Sequence, residues 1–533
     1  MNTTTYTWPF PYPARPNQVK AMEWLLSQKA KYLILEAPVG SGKSNIGLAY
    51  SAHLSPDSNG NSFILTPQRI LQEQYETSFR DNPKTPLFSL YGKSNYECHT
   101  KNASCEIGSL VKPRCSNCPH TLAKAAAKRT PNVVMNYKLA LLTFGYTMTF
   151  EDARPLMILD ECHTLEQHLV DFDAVSITYA RAKKYDLPWH VYTSIESARK
   201  WVASTYLPKI TDVKQKMERE VEYLIDKPGG SLTTTELRKL KDYNALCDHV
   251  DEVTEISVQP LDYLEQHYVL VHDKVTMSFK RLKGAYTFRR ILDTRADRIL
   301  FMSSTILNKD GFCYDLGIDP KDAAFLSLDS EFPVENRPVI YMPQMKMNAS
   351  WKEETKQRDN ERKQMLAVVK QLLEAHGTES GLIHTANFQI AKWLVEELQG
   401  KIPHQIYHHN PDSGDDRNSV INGFMSNPKP SVLISPSSTE GLDLKDDLGR
   451  FAIFVKVPFG YLGDQWIKKR MEMSTEWYQR RALIDVIQGG GRVVRGPEDK
   501  GNVYILDASW AYLYKQTFSM IPKWWREGYN TIV

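Results

Sequence analysis

The chain has 533 residues, of which 42% are hydrophobic and 24% are charged, and its formal net charge is +3. This composition is typical of a globular protein and excludes a fibrous or disordered chain, while the length predicts several domains. No apolar run reaches the roughly 18 residues of a membrane-spanning helix, and the N-terminus lacks a charged region followed by an apolar one. We therefore expect a cytoplasmic protein without a membrane partner. Because the net charge is small, any nucleic-acid surface must be a local groove.

The first strongly patterned stretch, KYLILEAPVGSGKS, predicts a strand, a glycine-rich loop and the start of a helix. In such a loop the backbone N–H groups point at phosphate oxygens, Lys43 can reach the β- and γ-phosphates, and the Ser44 hydroxyl can ligate Mg²⁺. Alanine occupies the first position, where the strict pattern has glycine, although the helicase form of the loop is similar to this one. The expected nucleotide-binding loop consists of Ala37, Pro38, Val39, Gly40, Ser41, Gly42, Lys43 and Ser44.

An amphipathic helix is predicted before this loop, and a second strand and helix are predicted after it. Arg15 and Gln18 stand at the start of the first helix, from where their side chains can reach an adenine. A solvated helix start explains them equally well. The second strand ends at Thr66, and ligands bind at the carboxyl ends of parallel strands. Thr66 and Gln68 are therefore candidates to hold a nucleic-acid backbone, with an ordinary strand-to-helix turn as the alternative.

Four cysteines cluster in the next segment, with gaps of six, nine and two residues between them: Cys98, Cys105, Cys115 and Cys118. In a reducing compartment such a cluster indicates metal rather than disulfides. Four thiolates suit either zinc or an iron–sulfur cluster, and ligand softness does not separate the two.

A later apolar strand, PLMILD, ends in the sequence DECH. Two carboxylates beside a phosphate loop serve two roles: Asp160 can hold Mg²⁺, and Glu161 can orient and deprotonate the attacking water. His163 is expected to couple the nucleotide site to the loop SSTIL, which follows another apolar strand and contains Ser303, Ser304 and Thr305.

Between these two strands, residues 171–294 carry apolar spacings of three and four that predict amphipathic helices packed together. Basic residues alternate there with aromatic ones, a composition that can line a path for single-stranded nucleic acid. A solvated basic face is the alternative. The residues concerned are Lys280, Arg281, Lys283, Tyr286, Phe288, Arg289 and Arg290.

After a proline-marked crossing, strands and helices alternate again, which predicts a second parallel sheet. His384 and Thr385 follow one of its strands and can contact phosphates, with a loop cap as the alternative. Other candidates follow an apolar strand or lie in VIQGGGRVVRG, where arginines can neutralise charge on a leaving γ-phosphate. They are Thr439, Glu440, Gly441, Asp443, Gln488, Arg492 and Arg495.

Taken in order, the motifs APVGSGKS, GKSNYEC, CSNCPH, VVMNYKLALL, LDECH, SSTIL, EGLDL and QGGGRVVR resemble the XPD/DinG family of iron–sulfur superfamily-two DNA helicases. The resemblance implies two RecA-like α/β lobes, with a 4Fe–4S cluster rather than zinc on the four cysteines and a helical arch as a second insertion. The cysteine spacing is tighter than is usual in the family. The implied division is first lobe 1–89, 128–170 and 295–335, cluster insertion 90–127, arch 171–294 and second lobe 336–533.

The resemblance further implies an ATP hydrolase that binds ATP and Mg²⁺ between its lobes and moves 5′ to 3′ on single-stranded or forked DNA. We expect a monomer, and no nuclease, because few residues precede Ala37. Two alternatives are a nucleotide-gated clamp or remodelling subunit that does not unwind, and a zinc-containing RNA helicase.

Overall fold

The structure is a computed structural model. It describes residues 6–58, 60–98, 103–105, 117–225, 233–409, 416–427, 430–436, 444, 446–494, 496 and 498–532. The α-helices within these ranges are α1 (Pro16–Ser27), α2 (Lys43–Leu54), α3 (Arg69–Phe79), α4 (Pro119–Arg129), α5 (Tyr137–Tyr146), α6 (Leu165–Phe172), α7 (Tyr179–Lys184), α8 (Ile195–Trp201), α9 (Leu207–Ile225), α10 (Thr234–Val258), α11 (Leu261–His267), α12 (Ala285–Thr287), α13 (Lys309–Leu316), α14 (Lys356–Ala375), α15 (Phe388–Leu398), α16 (Arg417–Ser426), α17 (Gln465–Met473), α18 (Thr475–Gly490), α19 (Trp510–Thr517) and α20 (Lys523–Glu527).

The strands of the same ranges are β1 (Tyr32–Glu36), β2 (Ser62–Thr66), β3 (Leu87–Ser89), β4 (Glu97–Cys98), β5 (Ala103–Ser104), β6 (Asn132–Asn136), β7 (Arg154–Asp160), β8 (Val175–Thr178), β9 (Tyr268–His272), β10 (Thr276–Arg281), β11 (Ala296–Ser303), β12 (Ala323–Ser327), β13 (Val339–Met345), β14 (Gly381–His384), β15 (Gln405–His408), β16 (Ser431–Ser435), β17 (Phe451–Phe454), β18 (Asn502–Asp507) and β19 (Tyr529–Thr531).

The first lobe is built on a seven-stranded parallel sheet in the order β12-β1-β11-β7-β2-β6-β3. The middle residues of its central strands are apolar, as expected for a sheet that is covered on both faces. Along β1, Ile34 packs into the core on one face, while Leu33 and Leu35 pack into the core on the other. In the register of the sheet, Glu36 lies beside Ser303, and Met302 lies beside Asp160. The phosphate loop, the SSTIL loop and the DECH sequence therefore start at one edge.

The second lobe repeats this design with a seven-stranded parallel sheet in the order β15-β16-β14-β17-β18-β13-β19. Both sheets confirm the predicted mixed α/β fold with two parallel-sheet lobes. Short polar side chains cap the helices that face the first lobe: Asp464 accepts two backbone N–H groups at the start of α17, and Ser474 accepts one at the start of α18. Nowhere in the described ranges is there a helix with the length and apolar character needed to span a bilayer.

The segment between β7 and β11 is not purely helical, which corrects the sequence prediction. Strands β8, β10 and β9 form a three-stranded antiparallel sheet, and helices α8 to α11 pack against it. A short π-helical turn, Val202–Tyr206, joins α8 to α9. The shared core includes Trp201, Tyr206 and Phe279. We call this unit the insertion.

Candidate active site

The phosphate loop connects β1 to α2 and requires glycine at two positions. Gly40 and Gly42 have φ angles of +78° and +77°, in the left-handed region that glycine tolerates best. A Cβ at residue 42 would overlap Nε2 of Gln18 and lie 2.9 Å from Nη2 of Arg15. Gly42 is also the N-cap of α2 and provides no side-chain cap, so the positive end of that helix faces the loop. The buried Ser41 hydroxyl makes no hydrogen bond within the described residues. These features fit a bound phosphate.

Arg15 and Gln18 lie against the outside of this loop. The Gln18 side chain is 2% exposed, donates from Nε2 to the Ser41 carbonyl oxygen at 3.3 Å, and accepts the Arg15 backbone N–H at 3.0 Å. In this arrangement Gln18 supports the phosphate loop. Contact of either side chain with an adenine stays a prediction.

The pKa values of the two carboxylates in the DECH sequence are shifted in opposite directions. Burial, and the neighbouring Glu161, raise the pKa of Asp160 to about 6. Burial also raises the pKa of Glu161, but Lys43 and His163 outweigh it and hold that pKa below its ordinary value. The Lys43 ammonium lies 3.7 Å from Oε1 of Glu161. Glu161 adopts a left-handed backbone conformation with φ of +46°, which is strained for a residue with a side chain.

A cavity of about 380 Å³ lies over the phosphate loop and receives side chains from both lobes. From the first lobe it is lined by Val39, Gly40, Gly42, Lys43, Ser44, Asp160, Glu161 and His163, and from the second lobe by Gln488 and Arg492. The chain thus brings these predicted residues together across the cleft. Arg495, Gly441 and Asp443, like Thr439 and Glu440, lie outside the described residues.

Gln488 connects the second lobe to two first-lobe motifs. Its Nε2 donates to the Thr305 hydroxyl at 2.8 Å and lies 3.3 Å from Nδ1 of His163. The same His163 nitrogen is 2.9 Å from the Ser303 hydroxyl. His163 and the SSTIL loop are therefore in contact, as the sequence predicts, and a second-lobe amide joins them.

Two buried residues that the sequence analysis missed hold this edge of the sheet. Glu36 accepts the backbone N–H groups of Ile306 and Leu307 at 2.7 and 2.6 Å and the Ser327 hydroxyl at 2.8 Å. Burial raises the pKa of Glu36. Tyr75 donates its hydroxyl to Oδ2 of Asp160 at 2.9 Å. A charged residue that ends an apolar strand was a visible signal for Glu36, whereas Tyr75 looks like any core aromatic of an amphipathic helix.

Comparison with known proteins agrees with this arrangement. Models of the DEAD/DEAH box helicase and of the helicase C-terminal domain match residues 15–198 and 341–528. The ATP-dependent DNA helicase DinG of Photobacterium profundum is 26% identical over 246 residues, which are 42% of this chain and 34% of DinG. The TFIIH helicase subunit XPD/RAD3 of Saccharomyces cerevisiae is 29% identical over 114 residues, 19% of this chain and 14% of that protein. A superposition on a solved XPD helicase covers 98% of this chain and 100% of the XPD chain, with a TM-score of 0.64 and 16% sequence identity. The two chains therefore have the same fold.

The chain is similar to superfamily-two helicases of the XPD/DinG type. It spans well under two thirds of the curated relatives that it matches, since the matched regions are 34% of DinG and 14% of XPD/RAD3.

The structure describes three of the four predicted cluster ligands. Cys98 and Cys105 are buried, and Sγ of Cys105 lies 3.7 Å from Sγ of Cys118. Burial raises the pKa of Cys105. Cys115 lies outside the described residues, and among those that are described no three potential metal ligands come together. Two thiols at contact distance are compatible with a shared metal centre, and the 4Fe–4S cluster stays a prediction.

The side chains predicted to contact nucleic acid at the two strand ends make contacts within the protein. Thr66 is buried and donates its hydroxyl to the Gln68 carbonyl oxygen, while Gln68 lines the cavity. His384 is 6% exposed and stacks on Phe454 with ring centroids 4.5 Å apart. Burial and the charge of Arg492 lower the pKa of His384 to about 3. Thr385 donates to the Asn387 carbonyl oxygen. Thr66, His384 and Thr385 thus make contacts within the protein, Gln68 faces the cavity, and contact of these side chains with nucleic acid stays a prediction.

The basic and aromatic run of the insertion is also partly structural. Arg281 is 3% exposed, pairs with Asp173, and stacks over Tyr286. Lys280 pairs with Asp171 at 2.7 Å. Arg281 is therefore neutralised in the interior, Lys280 pairs with the exposed Asp171, and a path for single-stranded nucleic acid along this run stays a prediction.

Proposed function

We propose that the chain is an ATP-dependent DNA helicase that hydrolyses ATP between its lobes and uses their closure to move along single-stranded DNA. One observation carries the proposal: the cavity combines a phosphate loop and two carboxylates from the first lobe with Gln488 and Arg492 from the second. DNA is favoured as the substrate because the matched relatives are named as DNA helicases or as a subunit of a DNA repair factor.

Because Glu161 lies beside Lys43, its strength as a general base would depend on whether a nucleotide is bound. Without nucleotide, Lys43 contributes to the low pKa of Glu161, which makes this carboxylate a weak base. A triphosphate carries more negative charge than one carboxylate and competes for the lysine. When Lys43 turns to the phosphates, the pKa of Glu161 rises and the carboxylate becomes a better acceptor for a proton of the attacking water. Ser44 and Asp160 would hold Mg²⁺, which neutralises charge on phosphate oxygens.

The second lobe would complete the site by closure. Arg492 faces the same cavity as Lys43 and can neutralise the γ-phosphate as it leaves, as can Arg495, the other predicted arginine. Arginines in this role increase the rate by about 10³ to 10⁵ in related phosphoryl-transfer enzymes. Gln488 would couple closure of the lobes to the first-lobe motifs through its contacts with Thr305 and His163. Hydrolysis then depends on the closed arrangement, and release of the products opens the cleft.

The finer features of the proposal are 5′ to 3′ movement, action on single-stranded or forked DNA, a 4Fe–4S cluster on Cys98, Cys105, Cys115 and Cys118, and action as a monomer. The direction and the cluster are supported by the family resemblance, and the cluster also by the 3.7 Å contact between Cys105 and Cys118. A monomer is supported because one chain supplies both sides of the cavity.

Two variants test the catalytic assignment. We expect Lys43→Ala and Glu161→Gln to abolish DNA-stimulated ATP hydrolysis, with Glu161→Gln still binding ATP. The matched controls, Lys29→Ala and Glu151→Gln, change exposed residues of the same types and should keep wild-type turnover. Wild-type turnover in either site variant would refute the assignment.

Unwinding of 5′-tailed and 3′-tailed duplexes, with and without ATP, tests the helicase activity and its direction. ATP hydrolysis without unwinding of either substrate would favour the clamp or remodelling alternative. Iron and acid-labile sulfide in the purified full chain would support the cluster, whereas zinc, together with a preference for RNA in competition, would favour the RNA helicase alternative.

A further inference from the structure

The hydroxyl of Tyr75 lies beside the two side chains that we assign to Mg²⁺, Asp160 and Ser44. Tyr75 is 4% exposed, lies on α3 and lines the cavity. It donates to Oδ2 of Asp160 at 2.9 Å and interacts with the hydroxyl of Ser44. Its ring packs on Phe79, with centroids 5.8 Å apart. The phenol oxygen therefore donates to one proposed ligand and interacts with the other.

Asp160 is held at three points. The Glu161 backbone N–H donates to Oδ1 at 3.0 Å, Tyr75 donates to Oδ2, and the Tyr137 hydroxyl donates to the Asp160 carbonyl oxygen at 2.6 Å. The first two bonds fix the plane of the carboxylate, and each oxygen retains lone pairs that can face a cation. Hydrogen bonds of this kind orient a ligating carboxylate, and their removal typically weakens metal affinity by about 10- to 100-fold.

We propose that Tyr75 is a positioning residue that presets Asp160 and Ser44 for a divalent cation arriving with the nucleotide. The inference rests on the proposed function. Without the Tyr75 hydroxyl, the Asp160 side chain would lose one of the two hydrogen bonds that it makes within the described residues, and the hydroxyl of Ser44 would lose an interaction. Binding of the cation would then have to order these two side chains, and the entropy lost in doing so would weaken its affinity.

Tyr75→Phe removes the hydroxyl and keeps the ring on Phe79. We expect the free Mg²⁺ concentration needed for half-maximal binding of a fluorescent ADP analogue to rise about 10-fold. Nucleotide affinity in EDTA should stay at the wild-type value, and the kcat of ATP hydrolysis at saturating Mg²⁺ should change much less than the Mg²⁺ requirement.

Two further variants separate positioning from structure. Tyr50→Phe removes another buried tyrosine hydroxyl of the first lobe, one that bonds Arg298 at 2.6 Å away from the cavity, and should leave the Mg²⁺ requirement unchanged. Phe79→Leu loosens the same aromatic contact but keeps the Tyr75 hydroxyl. A wild-type Mg²⁺ requirement in Tyr75→Phe, or an equal shift in Phe79→Leu, would overturn the proposal. If the wild-type chain bound no nucleotide at any Mg²⁺ concentration, the proposed function itself would fail.

Discussion

A buried charge cluster holds the two lobes together beside the proposed active site, and it gives a quantitative test of closure. Arg470 of α17 is fully buried and pairs with two first-lobe carboxylates, Glu166 at 2.8 Å and Asp315 at 2.6 Å. Its guanidinium lies over the ring of Trp477, 4.6 Å from the centroid. Because α18 follows α17 after a single residue and carries Gln488, the position of Arg470 is coupled to the position of the second-lobe side of the cavity.

Arg470→Met keeps the apolar stem and removes the charge, which leaves both carboxylates buried with less compensation. Breaking a buried ion pair in this way costs about 3 to 5 kcal/mol. The cost falls only on the closed arrangement, since the carboxylates regain water when the lobes separate. At about 1.4 kcal/mol per factor of ten, the open-to-closed ratio should rise about 100- to 4,000-fold.

Small-angle X-ray scattering should report a larger radius of gyration for Arg470→Met, and ATP hydrolysis should show a raised KM. Lys469→Met is the matched control, because Lys469 is a half-exposed cation of the same helix that pairs with Glu472 of its own lobe. Identical scattering and identical KM in the two variants would refute the idea that this cluster stabilises closure.

Two more predictions concern pH and backbone geometry. Burial and Asp315 raise the pKa of Glu166 from its ordinary 4.5 to about 7, so the closed state binds a proton more readily than the open one, and closure should weaken as the pH rises from 4.5 through 7. Scattering from pH 6 to pH 8 should show this opening in the wild type and not in Glu166→Gln. Gly42→Ala should lose nucleotide binding and stability, since a left-handed alanine costs roughly 1–2 kcal/mol and its Cβ would displace Gln18. Gly400→Ala has a similar φ of +71° with nothing within 4 Å of the Cβ, so it should show the strain alone, and equal losses in both variants would contradict the displacement.

The fold was predictable where hydrophobic periodicity is strong and local. The strand PLMILD and the helix of residues 16–27 could be predicted because the apolar pattern within each segment indicates its secondary structure. The antiparallel sheet of the insertion was missed because long helical patterns dominate that segment. A period-two signal was nevertheless present, since buried and partly buried side chains alternate along TMSFKR in β10.

The site was predictable where chemistry fixes the residue types and unpredictable where the fold alone decides the contacts. A phosphate loop needs glycine, lysine and a hydroxyl at fixed spacing, so Gly42, Lys43 and Ser44 could be named from the sequence. Tyr75 meets Asp160 across 85 positions, and only the sheet order places them together. Arg281 was interpreted from its charge, but its role follows from Asp173, 108 positions away.

The two buried side chains of α17 stabilise the closed arrangement of the lobes in different ways. Trp466 and Arg470 are four residues apart, on one face of the helix, and are 2% and 0% exposed. Burying a tryptophan is worth about 4 to 6 kcal/mol by area, and the indole N–H also donates to the Arg281 carbonyl oxygen of the insertion at 2.8 Å. For a buried arginine with two carboxylates, the Coulombic attraction is nearly offset by the cost of desolvating the charges. Any arrangement of the lobes that misaligns these charges, however, loses the attraction and is strongly disfavoured. The indole therefore adds apolar attraction between the lobes, and the arginine favours the alignment that brings Gln488 and Arg492 over the phosphate loop.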